Sequence, residues 1–329
     1  MYSAGGVSFS AASDTDRWIG CGRASIRGMS RASVYNIVLV VAVVAGCSRE
    51  SWPDPPPVDA EAYQKQYQTW REEQRAGLSS VLPITGIWSL AEGETAFGAD
   101  QALPIVLPAA HFGERAGSFR RAGSNVTVVP ATKTALRLDD GTMLEEPRQV
   151  DAVLAGPIRL QVFSEGDART WVMAMDTAHP AIADPPQIES YPLDSRWRVP
   201  ARFDAFETPK PVRVPDVRGG SVDFTAVGEL VFRIEGQEMR LMAFGEDGGE
   251  DYFVMFKDPT NQSTTYRGYR IVSPRAVKDG EWTVIDFNFA MNPPCAYSRF
   301  TTCPLPPPEN RLPVAIEAGL KRLPSVEGY

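Results

Sequence analysis

Ile158-Arg159-Leu160-Gln161-Val162-Phe163, then Glu165-Gly166-Asp167, then Thr170-Trp171-Val172-Met173-Ala174-Met175 is the stretch from which the fold class is read. Apolar and polar residues alternate on both sides of a glycine-centred turn. A period of two sets Ile158, Leu160 and Val162 on one strand face, and the return run repeats the pattern. A β-hairpin is the expectation. Toward the N-terminus, Gly117-Ser118-Phe119, Asn125-Val126-Thr127-Val128-Val129 and Ala135-Leu136-Arg137-Leu138 read as strands of a meander. A second block follows Pro200. There Leu230, Phe232 and Ile234 alternate, Glu235-Gly236-Gln237 turns, and Met239, Leu241 and Ala243 return. Tyr252–Phe256 and Trp282–Phe287 add two more strands. Short strands at this spacing predict a mainly β protein with an antiparallel sandwich- or barrel-like body, divisible into two β subdomains.

One segment breaks the strand pattern. In Val58–Leu78, Tyr63, Tyr67 and Trp70 fall at i, i+4 and i+7, one face of a helix. Asp59 is placed to cap its start and Gly77 to end it. An N-terminal amphipathic helix therefore precedes the β body, its aromatic stripe turned to the core. Between the blocks, Asp176–Arg198 lacks periodicity and reads as a linker or as a loop crossing a site.

The segments before the helix read as an address. Ile37–Ala45 is IVLVVAVVA, too short for the ~20 residues that a membrane span needs. Arg31 precedes it, and Ala45-Gly46 leads into Cys47. Residues 1–46 thus read as a secretory signal, with Met29 an alternative start to Met1. Val44-Ala45-Gly46-Cys47 resembles a bacterial lipobox, which implies lipidation of Cys47 and a membrane partner through that anchor. Ser48, by the same resemblance, implies a cell-envelope location, on the outer membrane facing the periplasm in a diderm host. Residues 47–57, with prolines at 53 and 55–57, read as a stiff tether. Residues 58–329 form one unit, split at 199/200 between the two β blocks.

Composition narrows the function classes. The 329 residues carry a net charge of -8, and without residues 1–46 the balance is 29 basic against 39 acidic residues, or -10. Such a body disfavours nucleic acid. No P-loop, strand-linked G-x-G-x-x-G, G-x-S-x-G or H-E-x-x-H is present. Only His111 and His179 could join cysteines on a metal, so no metal site and no cofactor are expected. With Cys21 and Cys47 assigned to the leader and anchor, Cys295 and Cys303 remain. An oxidising compartment favours a disulfide between them over a metal pair or a nucleophile.

The candidate site is the C-terminal stretch Val284–Val314, VIDFNFAMNPPCAYSRFTTCPLPPPENRLPV. Read as a strand through Phe289, it sets Asp286 and Asn288 opposite Ile285, Phe287 and Phe289. Asp286 and Asn288 are then either a solvated face or a polar cluster meeting Glu309, Asn310 and Arg311, with Arg311 paired to Asp286 or to a bound carboxylate or phosphate. Asn292 and Tyr297 belong to the same loop. Lys257–Arg270 reads as strand, polar turn, strand. Asp258 either builds the turn or contacts a ligand, and Tyr266 and Arg270 leave the turn on one face.

Asp286-Phe287-Asn288, Asn292-Pro293-Pro294-Cys295-Ala296-Tyr297 and Thr302–Val314 (TCPLPPPENRLPV) together resemble the family known as domain of unknown function 1684. Weaker resemblance lies at Gly86–Leu90, Phe97-Gly98, Phe256–Thr260 with Thr265-Tyr266, and Tyr191–Val199, extending it over Ala60–Lys321. Met173–Asp176 and His179 depart from an Arg-rich strand common in the family, so no anion site is carried over there. The family implies a shared C-terminal loop and no activity. The expected function is a lipoprotein binding a small molecule or glycan. The alternatives are a metal-independent hydrolase using carboxylates and Arg311, and a partner-binding scaffold using the Pro304–Pro308 run.

Overall fold

The hairpin forms as its alternation requires: Ile158–Glu165 pairs antiparallel with Arg169–Asp176. Leu160, Val172 and Ala174 are fully buried on its inner face. The computed structural model describes residues 52–132, 134–166, 169–216, 220–246 and 248–324. The expectations for the leader, Cys21 and Cys47 lie outside the described residues. The hairpin forms the middle of a four-stranded sheet in the order Ile84–Ser89, Arg169–Asp176, Ile158–Glu165, Ala152–Ala155. A five-stranded sheet runs Ile105–Val106, Gly93–Gly98, Gly117–Ala122, Asn125–Pro130, Arg148–Gln149. Both contribute to one core around Phe97, Phe119, Val128, Val153 and Leu160. Ala135–Leu138 is not a strand. Arg137 alone makes isolated bridges, to Met143 and Leu154. Leu136 is nevertheless fully buried, so its apolar character reflects core packing rather than pairing.

The second β block is a four-stranded antiparallel sheet in the order Gln237–Phe244, Ser221–Ile234, Arg198–Pro215, Trp282–Asp286. Glu235 and Gly236 both have positive φ, 53° and 78°. That is the type I′ geometry whose twist matches a tight hairpin. Arg198–Pro215 is an 18-residue strand concealed in the sequence by Pro200, Pro209 and Pro211. Trp282–Asp286 pairs only with residues 198–202, so Pro209 and Pro211 sit on an edge where a missing N–H costs no ladder bond. Inside the sheet, Phe203, Leu230, Phe232, Leu241, Phe256 and Phe287 form the core. A two-stranded ribbon, Val254–Phe256 with Arg270–Val272, contributes to the same core.

The helix spans Ala60–Val81, and Asp59 caps it by accepting from the Ala62 N–H at 2.8 Å. Gly77 does not end it. Ser79 and Ser80 donate back to the Ala76 and Gly77 carbonyls, and the helix stops at Leu82 because Pro83 cannot continue it. Tyr63, Tyr67 and Trp70 are buried, as their spacing requires. Trp70 stacks on Tyr67 and meets Phe289 edge-on at 5.2 Å. Burying each ring contributes about 1.5–3 kcal/mol.

The loop after Asp176 serves the helix. Arg75 bonds the Pro185 carbonyl at 2.9 Å and Asp184 at 2.6 Å, and Tyr67 donates to the Tyr191 carbonyl at 2.9 Å. His179 is a cap, its Nδ1 accepting from the Ala181 N–H. The proline-rich segment also lies against the body. Trp52 meets Trp282 edge-on at 5.1 Å beneath the Arg233 guanidinium, and Arg198 donates to the Pro56 carbonyl at 2.7 Å. An extended segment has no internal hydrogen bonds, so its carbonyls are available to such a donor.

Candidate functional site

The strand Trp282–Asp286 stops at Asp286, and Phe287–Phe289 is a 3-10 turn. The expected strand alternation through Phe289 therefore fails. Asp286 halts the strand by accepting from the Asn288 N–H at 3.1 Å. The turn brings Asp286 and Asn288 together, with Tyr63 rather than Arg311 as partner. Tyr63 donates to Asp286 at 2.7 Å, and the Asn288 amide bonds Tyr63, Asp286 and the Asp194 carbonyl. Arg198 stands 3.5 Å from the carboxylate and over the Tyr63 ring. Burial pushes the Asp286 carboxyl above its ordinary value, against the Tyr63 and Asn288 hydrogen bonds and Arg198. Burial and Asp286 push the Tyr63 phenol up. The cluster fastens the helix to the β body.

Asp258 and Arg270 form an ion pair at 2.8 Å with both side chains fully buried. Asp258 also accepts from the Thr260 N–H, the Thr260 hydroxyl and the Ile316 N–H. Arg270 donates to the carbonyls of Ile316 and Ala318 and lies 5.0 Å over the Phe256 ring. Burial lowers the Arg270 pKa, with Asp258 opposing. The pair ties the polar turn to the C-terminal segment, and neither side chain reaches solvent. Tyr266 is buried rather than presented, and burial raises its phenol pKa. Asn261 holds the turn by accepting from the Asp258 N–H and donating to the Tyr266 carbonyl.

The rest of the signature loop is similarly bonded. Cys295 and Cys303 are joined in a disulfide with Cα atoms 6.1 Å apart. Asn292 donates to Tyr297 and to the Lys321 carbonyl. Burial pushes the Tyr297 phenol up to about 12. Asn310, fully buried, exchanges bonds with the Met242 backbone and donates to the Met255 carbonyl. It thereby joins two strand edges that do not pair there. Glu309 is exposed. Leu305 donates to the Pro215 carbonyl, which pins the proline run to the end of the long strand.

Arg311 lies elsewhere than beside Asp286. It sits opposite Lys257 in a short parallel pairing, closed by Lys257 N–H to Asn310 O at 2.9 Å and Leu312 N–H to Lys257 O at 2.7 Å. Alternation turns Phe256, Asn310 and Leu312 inward, so Lys257 and Arg311 share the outer face. They line a half-open cavity of about 170 Å³ with Asp258, Gln262, Arg267 and Leu312. Burial lowers the Lys257 pKa, and Arg311 lowers it further. Of the sequence candidates, Asp258 and Arg311 border this cavity. Tyr266, Arg270, Asp286, Asn288, Asn292, Tyr297, Glu309 and Asn310 do not line it. Sequence reasoning missed Lys257, Gln262 and Arg267. Their signal is faint: a cation on either side of the Asp258-Pro259 turn. Among the described residues no group of three or more His, Cys, Asp or Glu is placed to hold a metal, and no helix is long and apolar enough to cross a membrane.

Residues 186–321 match the model of a family described as proteins of unknown function, DUF1684. The weaker motifs at Gly86–Leu90 and Phe97-Gly98 fall outside that match. The solution structure of an uncharacterized protein of Haloarcula marismortui is similar at 32% identity, over 42% of this chain and 78% of that one, with a TM-score of 0.37. No curated protein matches the chain.

Proposed function

This chain belongs to the DUF1684 family of proteins of unknown function, and from that premise we propose that it is a ligand-binding lipoprotein of the cell envelope, holding a small molecule at the Lys257–Arg311 cavity. The observation that carries the reading is the cavity itself. Around it the polar groups of the signature loop are spent on architecture, whereas here Lys257, Gln262 and Arg311 line a half-open cavity. The volume of about 170 Å³ is below the ~300 Å³ at which drug-sized sites begin. It takes the end group of a ligand, not a glycan chain.

Catalysis by carboxylates is less well supported. Asp258, the acid on the cavity wall, is fully buried and bonded to four donors, and Asp286 is committed to Tyr63 and Asn288. A general acid or base must instead reach the reacting group. The pinned proline run likewise offers a poor free docking segment. A thermal-shift screen of small metabolites, run beside a hydrolase substrate panel, tests the assignment. Saturable stabilisation without turnover is expected. Turnover that Asp286→Asn abolishes while the fold persists would replace binding by catalysis.

The envelope location rests on the Val44–Cys47 lipobox and is supported by the Cys295–Cys303 disulfide, a bond typical of oxidising compartments. Cys47→Ala is expected to move the protein from the membrane fraction to the soluble one. Retention in the membrane would contradict the anchor.

A further inference from the structure

We propose that the ligand group held in this cavity is an anion, a carboxylate or a phosphate, gripped between Lys257 and Arg311 with Arg267 and the Gln262 amide at the rim. The proposal deepens the binding assignment and rests on it. Its first support is charge. The protein carries a net -8, yet Lys257 and Arg311 both line one small cavity. The only acid on that wall among the described residues, Asp258, is already neutralised by Arg270 at 2.8 Å. Lys257 and Arg311 therefore leave the charge facing the cavity positive.

The second support is the placement of the two cations. Lys257 and Arg311 have no carboxylate partner among the described residues. They are instead held side by side by backbone pairing, which prevents the strands from carrying them apart. Two like charges so placed repel each other, and burial adds a desolvation cost at Lys257. An anion between them relieves both penalties. A planar guanidinium fork beside a point-charge ammonium suits two oxygens of one carboxylate or phosphate.

The test is titration of the folded protein with inorganic phosphate, with acetate and with glycerol as a neutral control, read by calorimetry and melting temperature. Lyotropic anions stabilise proteins nonspecifically, so the decisive quantity is the difference between wild type and variants. Wild type is expected to bind phosphate or acetate, and whichever of the two it prefers identifies the group. Lys257→Met and Arg311→Gln are each expected to weaken that binding by about tenfold or more, the loss of one charged hydrogen bond. Arg311→Glu sets a carboxylate beside Lys257. It is expected to raise the unliganded melting temperature while abolishing anion binding, a pairing of effects that misfolding cannot mimic. Equal anion responses in wild type and variants would overturn the proposal. Glycerol binding without anion binding would overturn the anion while leaving the cavity as a site. No response to any of the three would count against both readings.

Discussion

Replacing Asp258 by Asn perturbs the most deeply buried charge pair among the described residues, and the structure allows its cost to be worked out. The carboxylate accepts from Arg270 at 2.8 Å, from the Thr260 hydroxyl at 3.0 Å and N–H at 3.2 Å, and from the Ile316 N–H at 2.8 Å. Each oxygen faces two donors. Whichever way the Asn amide is turned, its NH₂ confronts two of them, and Arg270 is left buried without its counter-charge. Breaking a buried pair from one side costs about 3–5 kcal/mol. For a chain of this size that is a fall of roughly 6–20 °C in melting temperature. Apolar replacement of a whole buried pair is often neutral or stabilising. Here it is expected to fail, because the pair also satisfies four backbone groups: the N–H of Thr260 and Ile316, and the carbonyls of Ile316 and Ala318. Leaving those unbonded costs about 1–3 kcal/mol each. Asp258→Leu with Arg270→Met should therefore remain well below wild type in urea and thermal unfolding followed by circular dichroism. A single variant melting within about 2 °C of wild type, or a double variant more stable than wild type, would refute the reasoning.

Three further outcomes follow from neighbouring contacts. Asp286 has its carboxyl pKa raised in the folded state, mainly by burial, so folding favours its protonated form. That contribution is present below the ordinary unfolded value and is lost as pH rises through the raised folded one. Wild type should gain stability relative to Asp286→Asn on acidification from neutral pH into that window, and a constant difference in melting temperature would contradict this. Asn310→Ala should orphan the Met242 N–H and the Met242 and Met255 carbonyls, at about 1–3 kcal/mol each. Asn310→Asp should not rescue it in urea denaturation, because both carbonyls need a donor. Reducing Cys295–Cys303, which closes a loop over a sequence separation of 8, should cost about 2–3 kcal/mol of unfolding free energy, and an unchanged denaturation midpoint would show otherwise.

What the sequence revealed was what local periodicity records. The alternation of Ile158–Met175 and the Tyr63, Tyr67, Trp70 spacing are properties of single elements, and both formed as read. The strand Arg198–Pro215 was hidden because Pro209 and Pro211 are tolerated only through an edge position that belongs to the sheet, not to the segment. Phe287–Phe289 has strand-like alternation but follows an aspartate that caps a turn, so local capping overrode the period. At the site, Asp286 and Asn288 were read as a solvated face or a polar cluster with Asn310, and Asp258 as a turn builder or ligand contact, whereas the structure holds all four in hydrogen bonds. Their partners are set by tertiary contacts: Tyr63 from the helix, Arg270 from a neighbouring strand, the Met242 backbone from another. Lys257 escaped notice for the same reason. Nothing near it in the chain reveals that Arg311 lies opposite.

The central claim is that the Lys257–Arg311 cavity receives an anionic group, and the most direct measurement is an amide NMR titration of the folded protein with phosphate and with acetate. Saturable shifts centred on Lys257, Gln262, Arg311 and Leu312, lost in Arg311→Glu, are the predicted result. Unmoved resonances at those four residues, or shifts that persist in Arg311→Glu, would contradict it.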